Sequence, residues 1–234
     1  MLPFVYIFGL KISTYWMAMV IGFVSMIILM LSRRQLFKLT ITQTVLFVTL
    51  LMVAGLIGGK LLYIFENINE TLQEGVSFGG FSFFGAVYFI PIFMNMVKKI
   101  FALKRFEVFD ACAPCVALMI AIIRFGCFLN GCCGGAYIKG YLVRWPTQAI
   151  ESIFDILILI KLLKIENVKQ MQKNLYALFM IYYGFIRFFI EFLRDTSKSW
   201  FGFSHGQFFS ITAIVIGVIC ILCENQTHIM KNDE

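Results

Sequence analysis

An all-α integral membrane protein is what this sequence predicts, with seven transmembrane helices, its N-terminus outside and its C-terminus cytoplasmic. Three observations carry that reading. The 234 residues are 60% hydrophobic and only 14% charged, with a mean hydropathy of +0.86, far above a globular domain. Apolar stretches of about 18 or more residues, long enough to cross a bilayer core, recur along the whole length. The basic residues alternate from one inter-span segment to the next, as the positive-inside rule requires. A single polytopic membrane domain over residues 1–234 follows, with no room for a soluble domain. The net charge of +7 then reports topology. No basic tail or basic patch interleaved with exposed aromatics points to nucleic acid, and no low-complexity stretch or internal repeat is present. The N-terminus lacks a basic leader and a small-residue cleavage site, so the first helix is expected to be retained.

The spans are expected at 15–31, 42–65, 79–96, 108–129, 147–163, 175–193 and 207–222. Arg33, Arg34 and Lys38 follow the first. Lys98, Lys99, Lys104 and Arg105 follow the third. Lys161, Lys164, Lys169 and Lys173 lie at the end of the fifth and beyond it, and Lys231 follows the seventh. These twelve of the twenty basic residues share one side. The opposite side has Lys11, Lys139, Arg144 and Lys198, with Arg194 at its edge. Its 66–78 loop holds Glu66, Glu70 and Glu74 with no Lys or Arg. N-out and C-in orientation needs an odd span count, so orientation and count support each other. The third span starts in a Gly-rich run, 75–85, that could be re-entrant.

The sixth span carries the most informative residues. At about 100° per residue, Tyr183, Arg187, Glu191 and Arg194 fall at about 0°, 40°, 80° and 20° on the helix. Most of the rest of that surface is Phe, Ile and Leu. Each mid-membrane charge costs about 2.5 to 3.5 kcal/mol on insertion scales, so such charges face protein or a cavity. Two readings fit: a buried site for a charged ligand, or a structural ion pair that orients one helix. Depth favours the first. Lys60, Arg124, Arg187, Glu191, Glu151 and Tyr15 all fall in the outer half of the membrane, as one shared cavity would require. Three cations, Lys60, Arg124 and Arg187, against two carboxylates suit an anion, and a phospholipid phosphate is the anion available at that depth.

Seven cysteines are present. Cys112, Cys115, Cys220 and Cys223 lie in apolar spans and read as small buried hydrophobes. Cys127, Cys132 and Cys133 fall in a Gly- and Cys-rich stretch that opens a short exoplasmic loop, 127–146, close to Arg124. They are candidate reactive thiols, against packing or a passive disulfide. Adjacent Cys132 and Cys133 are poorly placed to pair with each other. No metal is expected, because the only histidines, His205 and His228, lie far away in sequence.

Motifs in order along nearly the whole chain resemble the prolipoprotein diacylglyceryl transferase family. Ser13-Thr-Tyr-Trp-Met17 resembles its first-helix motif, and Gly58-Gly-Lys60 its Gly-Gly-Arg. Asp110-Ala-Cys-Ala-Pro114 resembles its Asp-x-x-Ala-Pro. Arg124-Phe-Gly-Cys-Phe-Leu-Asn-Gly131 resembles its signature Arg-x-Gly-Asn-Phe-x-Asn-Gly. Arg144-Trp-Pro-Thr-Gln-Ala-Ile-Glu151 resembles its Arg-His-Pro-Ser-Gln-x-Tyr-Glu. The 183–194 segment resembles its Tyr-Gly-x-x-Arg-x-x-x-Glu-x-x-Arg, and Ser204-His-Gly-Gln207 the Ser-x-Gly-Gln of its last helix.

The resemblance implies transfer of diacylglycerol from phosphatidylglycerol to the thiol of a lipobox cysteine in a prolipoprotein. The reaction would take place at the outer face of a bacterial cytoplasmic membrane, release glycerol phosphate and need no cofactor. It implies that Arg124 and Arg187 hold the phosphate and that Glu191 orients Arg187. Tyr15, Asn130 and Tyr183 would bond the head group, while Lys60, Gly135, Glu151 and Arg194 would complete the substrate site. Departures from the pattern leave alternatives open. The family's Ser-Phe-His-Gly-Gly reads Ser82-Phe-Phe-Gly-Ala86, so Phe84 replaces a histidine. Cys127 stands at the asparagine after Arg-x-Gly, and Cys132 at the glutamate after Asn-Gly. Glu191, His205 or the lipid phosphate could then act as base. A divergent paralogue with another acceptor, or a non-catalytic phospholipid binder, fits the same lipid site.

Overall fold

A computed structural model describes residues 3–7, 10–75, 80–139, 141–167, 174–196 and 202–232. Gly79, where the third span was expected to start, lies outside them, as do Lys169, Lys173 and Lys198. The chain opens with a hairpin that the span reading did not anticipate. Strand β1 (Phe4–Ile7) pairs antiparallel with β2 (Leu10–Ser13), Phe4 opposite Ser13. Among the described residues eight helices follow: α1 (Thr14–Arg33), α2 (Ile41–Glu66), α3 (Ile68–Glu74), α4 (Phe83–Val97), α5 (Arg105–Asn130), α6 (Thr147–Asn167), α7 (Leu175–Ile190) and α8 (His205–Asn232). Short 3-10 turns extend α4 through Lys98–Phe101 and α7 through Glu191–Leu193.

Six of these helical segments are long and apolar enough to cross a membrane. The chain is therefore an all-α integral membrane protein. The other long helix, α6, occupies the expected fifth span. It is less apolar because Glu151, Asp155, Lys161, Lys164 and Glu166 all lie on its 21 residues. The expected span limits fall within about four residues of the helices, except that α8 runs on past 222 to Asn232. The third span begins as helix only at Phe83.

Two compact units are present, residues 27–112 and residues 1–26 with 113–234. In the first, α2 begins with a capping box at Thr40. Its hydroxyl accepts from the Gln43 amide while the Gln43 carboxamide accepts from the Thr40 amide, which satisfies two backbone donors at the helix start. Gly58 of α2 backs onto Phe89 and Gly85 of α4. Arg33, counted as a loop cation for orientation, is in fact buried. It donates from Nη1 to Ala111 O (3.2 Å) and from Nη2 to Asp110 O (3.1 Å). Lys60 also belongs to this unit, its Nζ 5.1 Å from the Tyr63 ring centre and 5.6 Å from that of Phe81, within cation–π range.

The second unit holds Arg124, Glu151, Arg187, Glu191 and Arg194. The most buried span is α5, with 72% of its apolar window inside the protein against 28% for α1 and α8. Cys112 and Cys115 are buried on it as expected. Cys220 and Cys223 are exposed on α8, which overturns their reading as core residues. On a helix that is apolar nearly all round, composition cannot separate the lipid-facing side from the packed side. The Gly/Cys loop starts at Gly131 rather than 127, because α5 continues through Asn130.

Candidate active site

Helix α7 places the first part of the site. Tyr176, Met180, Tyr183 and Arg187 recur at spacings of three and four and are all buried, so they form one inward stripe. Ring stacking of Tyr183 on Phe179, with centroids 5.6 Å apart, fixes the middle of that stripe. After Ile190 the helix tightens into the 3-10 turn, and Arg194 adopts extended backbone. The four-residue arc expected from the helical wheel therefore holds through Glu191, and Arg194 reaches the same place from outside the helix.

Helix α6 supplies the centre. Thr147, Gln148, Glu151, Ser152 and Asp155 are buried, an inward polar stripe on the first two turns. The Glu151 carboxylate, 3% exposed, engages three guanidiniums. Its Oε2 pairs with Arg124 Nε from α5. Its Oε1 lies 2.5 Å from Arg187 Nη1 and 3.8 Å from Arg194 Nη1. Arg187 in turn pairs through Nη2 with Glu191 Oε2 at 2.9 Å, one helical turn on. Three cations, Arg124, Arg187 and Arg194, therefore face two carboxylates, Glu151 and Glu191. Breaking one partner of such a buried network typically costs about 3 to 5 kcal/mol, because it strands an unpaired charge.

The start of α8 closes the network through Ser204, one of two residues to which sequence reasoning gave no role. Ser204 Oγ donates to Glu191 Oε1 (3.0 Å). Ser204 is itself held by Gln207, whose side chain accepts from the Ser204 amide (3.2 Å) while the Gln207 amide donates to Ser204 Oγ (3.1 Å). This Ser-x-x-Gln capping box was a readable signal. Gly206 follows for a steric reason: a Cβ there would lie 2.7 Å from the Glu191 carboxyl carbon. The other such residue is Asp155, one turn along α6 from Glu151 and 2% exposed, whose Oδ2 has no hydrogen-bond partner.

The loop after α5 brings in the remaining expected residues. Thr14 Oγ1 donates to Asn130 Oδ1 (3.4 Å), which ties the end of α5 to the start of α1 beside Tyr15. Gly135 is buried and donates to Trp145 O (2.9 Å), and the next residue, Ala136, donates to Leu193 O (2.8 Å). A Cβ on Gly135 would sit 2.5 Å from that same Leu193 oxygen, so only glycine lets the loop lie against the end of α7. Gln148 Nε2 donates to Cys132 O (2.5 Å). The sulfurs of Cys127, Cys132 and Cys133 all lie within 4.8 Å of one another. Hydrogen bonding from the Cys127 thiol draws the exposed Cys133 thiol down to about 5. Desolvation opposes this, and the charges of Arg124 and Arg194 assist it.

Fold and site together define a multi-pass helical membrane protein built around a buried guanidinium–carboxylate centre. The family model described as prolipoprotein diacylglyceryl transferase matches residues 3–223, and the chain belongs to that family. It is 30% identical over 241 residues to phosphatidylglycerol–prolipoprotein diacylglyceryl transferase 2 of Clostridium perfringens (strain 13 / Type A), with 91% of each chain covered. It is 29% identical to the phosphatidylglycerol–prolipoprotein diacylglyceryl transferase of Clostridium tetani, over 91% of this chain and 93% of that one. The Finegoldia magna protein of the same name is 31% identical over 181 residues, 74% of this chain and 71% of its own.

Proposed function

We propose that this protein transfers the diacylglyceryl group of phosphatidylglycerol to the cysteine thiol of a prolipoprotein at the outer face of a bacterial cytoplasmic membrane. One observation carries the reading. The residues that match the family motifs, Arg124, Glu151, Arg187, Glu191 and Arg194, meet in a single buried ion-pair network. Attack of a thiolate on the glyceryl carbon drives charge onto the departing phosphate. Guanidiniums already fixed by carboxylates need no reorganisation as that charge grows, so they stabilise the transition state more than the bound lipid. Arg124 and Arg187 hold the phosphate in this reading. Glu151 sets the spacing between them, and Glu191, backed by Ser204, fixes the second. Tyr15, Asn130 and Tyr183 contact the head group, and Gly135 completes the substrate site. Seven spans with the N-terminus outside put the acceptor peptide on the exoplasmic side.

The test is purified protein in micelles with phosphatidylglycerol and a cysteine-containing lipobox peptide, read by mass spectrometry of both products. Lipidated peptide with an equivalent of glycerol phosphate is the expected outcome. Saturable phosphatidylglycerol binding with no product would replace the transferase reading with a lipid-binding one.

A further inference from the structure

We propose that Cys127, Cys132 and Cys133 form a three-thiolate site for a soft or borderline divalent ion of the zinc type, whose fourth position takes the acceptor thiol. The ligand set is local and convergent. All three sulfurs lie within 4.8 Å of one another. A tetrahedral zinc with Zn–S bonds of about 2.3 Å holds its sulfurs about 3.8 Å apart, within about 1 Å of the upper limit of that spacing. The backbone is folded to bring them together. Cys127 O accepts from Gly131 N (3.0 Å) and Cys132 N (3.2 Å), which caps α5 and turns the chain back over its last turn. Cys133 then takes a left-handed conformation, φ 60°, an unfavourable one for a side chain with a Cβ. Such outliers concentrate at functional sites, and this one belongs to the residue that completes the triad.

Burial is graded across the triad. Cys127 is buried, Cys132 half-buried and Cys133 exposed, so an ion has a way in and one side remains open. Three thiolates around a divalent ion carry one net negative charge. Arg124 and Arg194 both act electrostatically on Cys133, so cations are in place to balance it. Three protein ligands with an open fourth position is the arrangement of catalytic rather than structural zinc.

The role of the fourth position rests on the transferase reading above. Both carboxylates of the network are engaged by arginines, so the acceptor thiol needs another route to its thiolate. A thiol that coordinates the ion loses its proton to water and stays bound as thiolate. Its sulfur lone pair forms the bond to the glyceryl carbon as the carbon–oxygen bond to phosphate breaks. That electron pair leaves on glycerol phosphate, and the neutral thioether, a weaker ligand than thiolate, departs from the ion. No electrons are exchanged with an outside agent.

The experiment strips the reduced protein in micelles with a chelator under anaerobic conditions, reloads it with Zn²⁺ or Co²⁺ and removes excess ion by gel filtration. One ion per chain is expected. Co²⁺ should give a thiolate charge-transfer band with intense four-coordinate d–d bands that shift when a cysteine peptide is added. Cys133→Ser, at an exposed position, should weaken Zn²⁺ by about tenfold or more, while Cys112→Ser should not. Substoichiometric uptake overturns the site, as does uptake undiminished in the triple Ser variant. A disulfide between two of the three in metal-free native protein also overturns it. Transfer at least about tenfold faster in the loaded than in the stripped protein supports the activating role. Equal rates overturn that role and leave the transferase reading standing. Stoichiometric metal with no transfer in either form overturns the transferase reading and leaves the site standing.

Discussion

Glu151→Gln is the substitution that tests the architecture of the site most directly. The change is nearly isosteric and removes one charge. In the native protein that charge is shared by Arg124 on one oxygen and by Arg187 and, at 3.8 Å, Arg194 on the other. A neutral amide also turns two N–H donors toward groups that are themselves donors. Loss of one partner from a buried ionic set costs about 3 to 5 kcal/mol. If that cost falls entirely on the transition state, at about 1.4 kcal/mol per tenfold the transfer rate drops by about 10²- to 4 × 10³-fold. Glu191→Gln should cost less, because Glu191 has one ion pair and one hydroxyl donor. The assay is the initial rate of peptide lipidation in micelles, with size-exclusion profile and thermal midpoint checking the fold. The ordering carries the test. Glu151→Gln at wild-type rate, or Glu191→Gln more damaging than Glu151→Gln in equally folded protein, would refute Glu151 as the hub.

Other substitutions probe the surroundings. Arg187→Lys keeps the charge but not the fork that spans Glu151 and Glu191, so transfer should fall by at least about tenfold, corresponding to one lost charged hydrogen bond; an unchanged rate would show that the second contact is dispensable. Ser204→Ala removes the donor to Glu191 and the hydroxyl that accepts from the Gln207 amide. A stability loss of about 1.5 to 3 kcal/mol, read from denaturant unfolding, is expected, and none at all would contradict the contact. Gly206→Ala places a methyl 2.7 Å from the Glu191 carboxyl, so activity should fall further than for Ala at exposed Gly202. Asp155→Asn should leave the thermal midpoint unchanged or raise it, because it removes a buried carboxylate one turn from Glu151 on the same helix; a clear drop would show that Asp155 has a stabilising partner.

Span positions were legible because burial in lipid writes itself as continuous apolar runs, and the helices fall close to the predicted limits. The buried stripe of α7 was legible for a similar reason. Arg187 and Glu191 are spaced by one turn, and few other polar residues share that segment. The Glu151 hub was not legible. Its partners come from positions 124, 187 and 194, on separate segments, and no local pattern encodes pairing across 27 or more residues. Glu151 also lies near the start of its helix, where a carboxylate reads as an ordinary complement to the helix dipole. Lys60 was grouped with the arginines by depth alone, and among its contacts are the rings of Tyr63 and Phe81 in its own unit. Cys220 and Cys223 failed because an apolar lipid-facing residue and an apolar core residue look alike in sequence.

The end of α5 joins the two halves of the proposed chemistry. Arg124 and Cys127 are three residues apart on one helix, so they lie on neighbouring positions of the same face. The chain then reverses through Gly131 and brings Cys132 and Cys133 back to Cys127, and Gln148, three residues before Glu151, bonds the Cys132 carbonyl. A rigid path of one helical turn and one hydrogen bond thus links the thiol cluster to the phosphate-holding arginine and to its carboxylate. A nucleophile held at the triad and a phosphate held at Arg124 would be fixed relative to each other by backbone rather than by flexible side chains. That fixed placement is the kind of contribution that can lower a two-substrate barrier by several kcal/mol. Gln148→Ala cuts the hydrogen-bonded link without touching a thiol or a charge. It should slow transfer while leaving phosphatidylglycerol affinity within about twofold, and a matching loss in both would mean that Gln148 supports the lipid site alone.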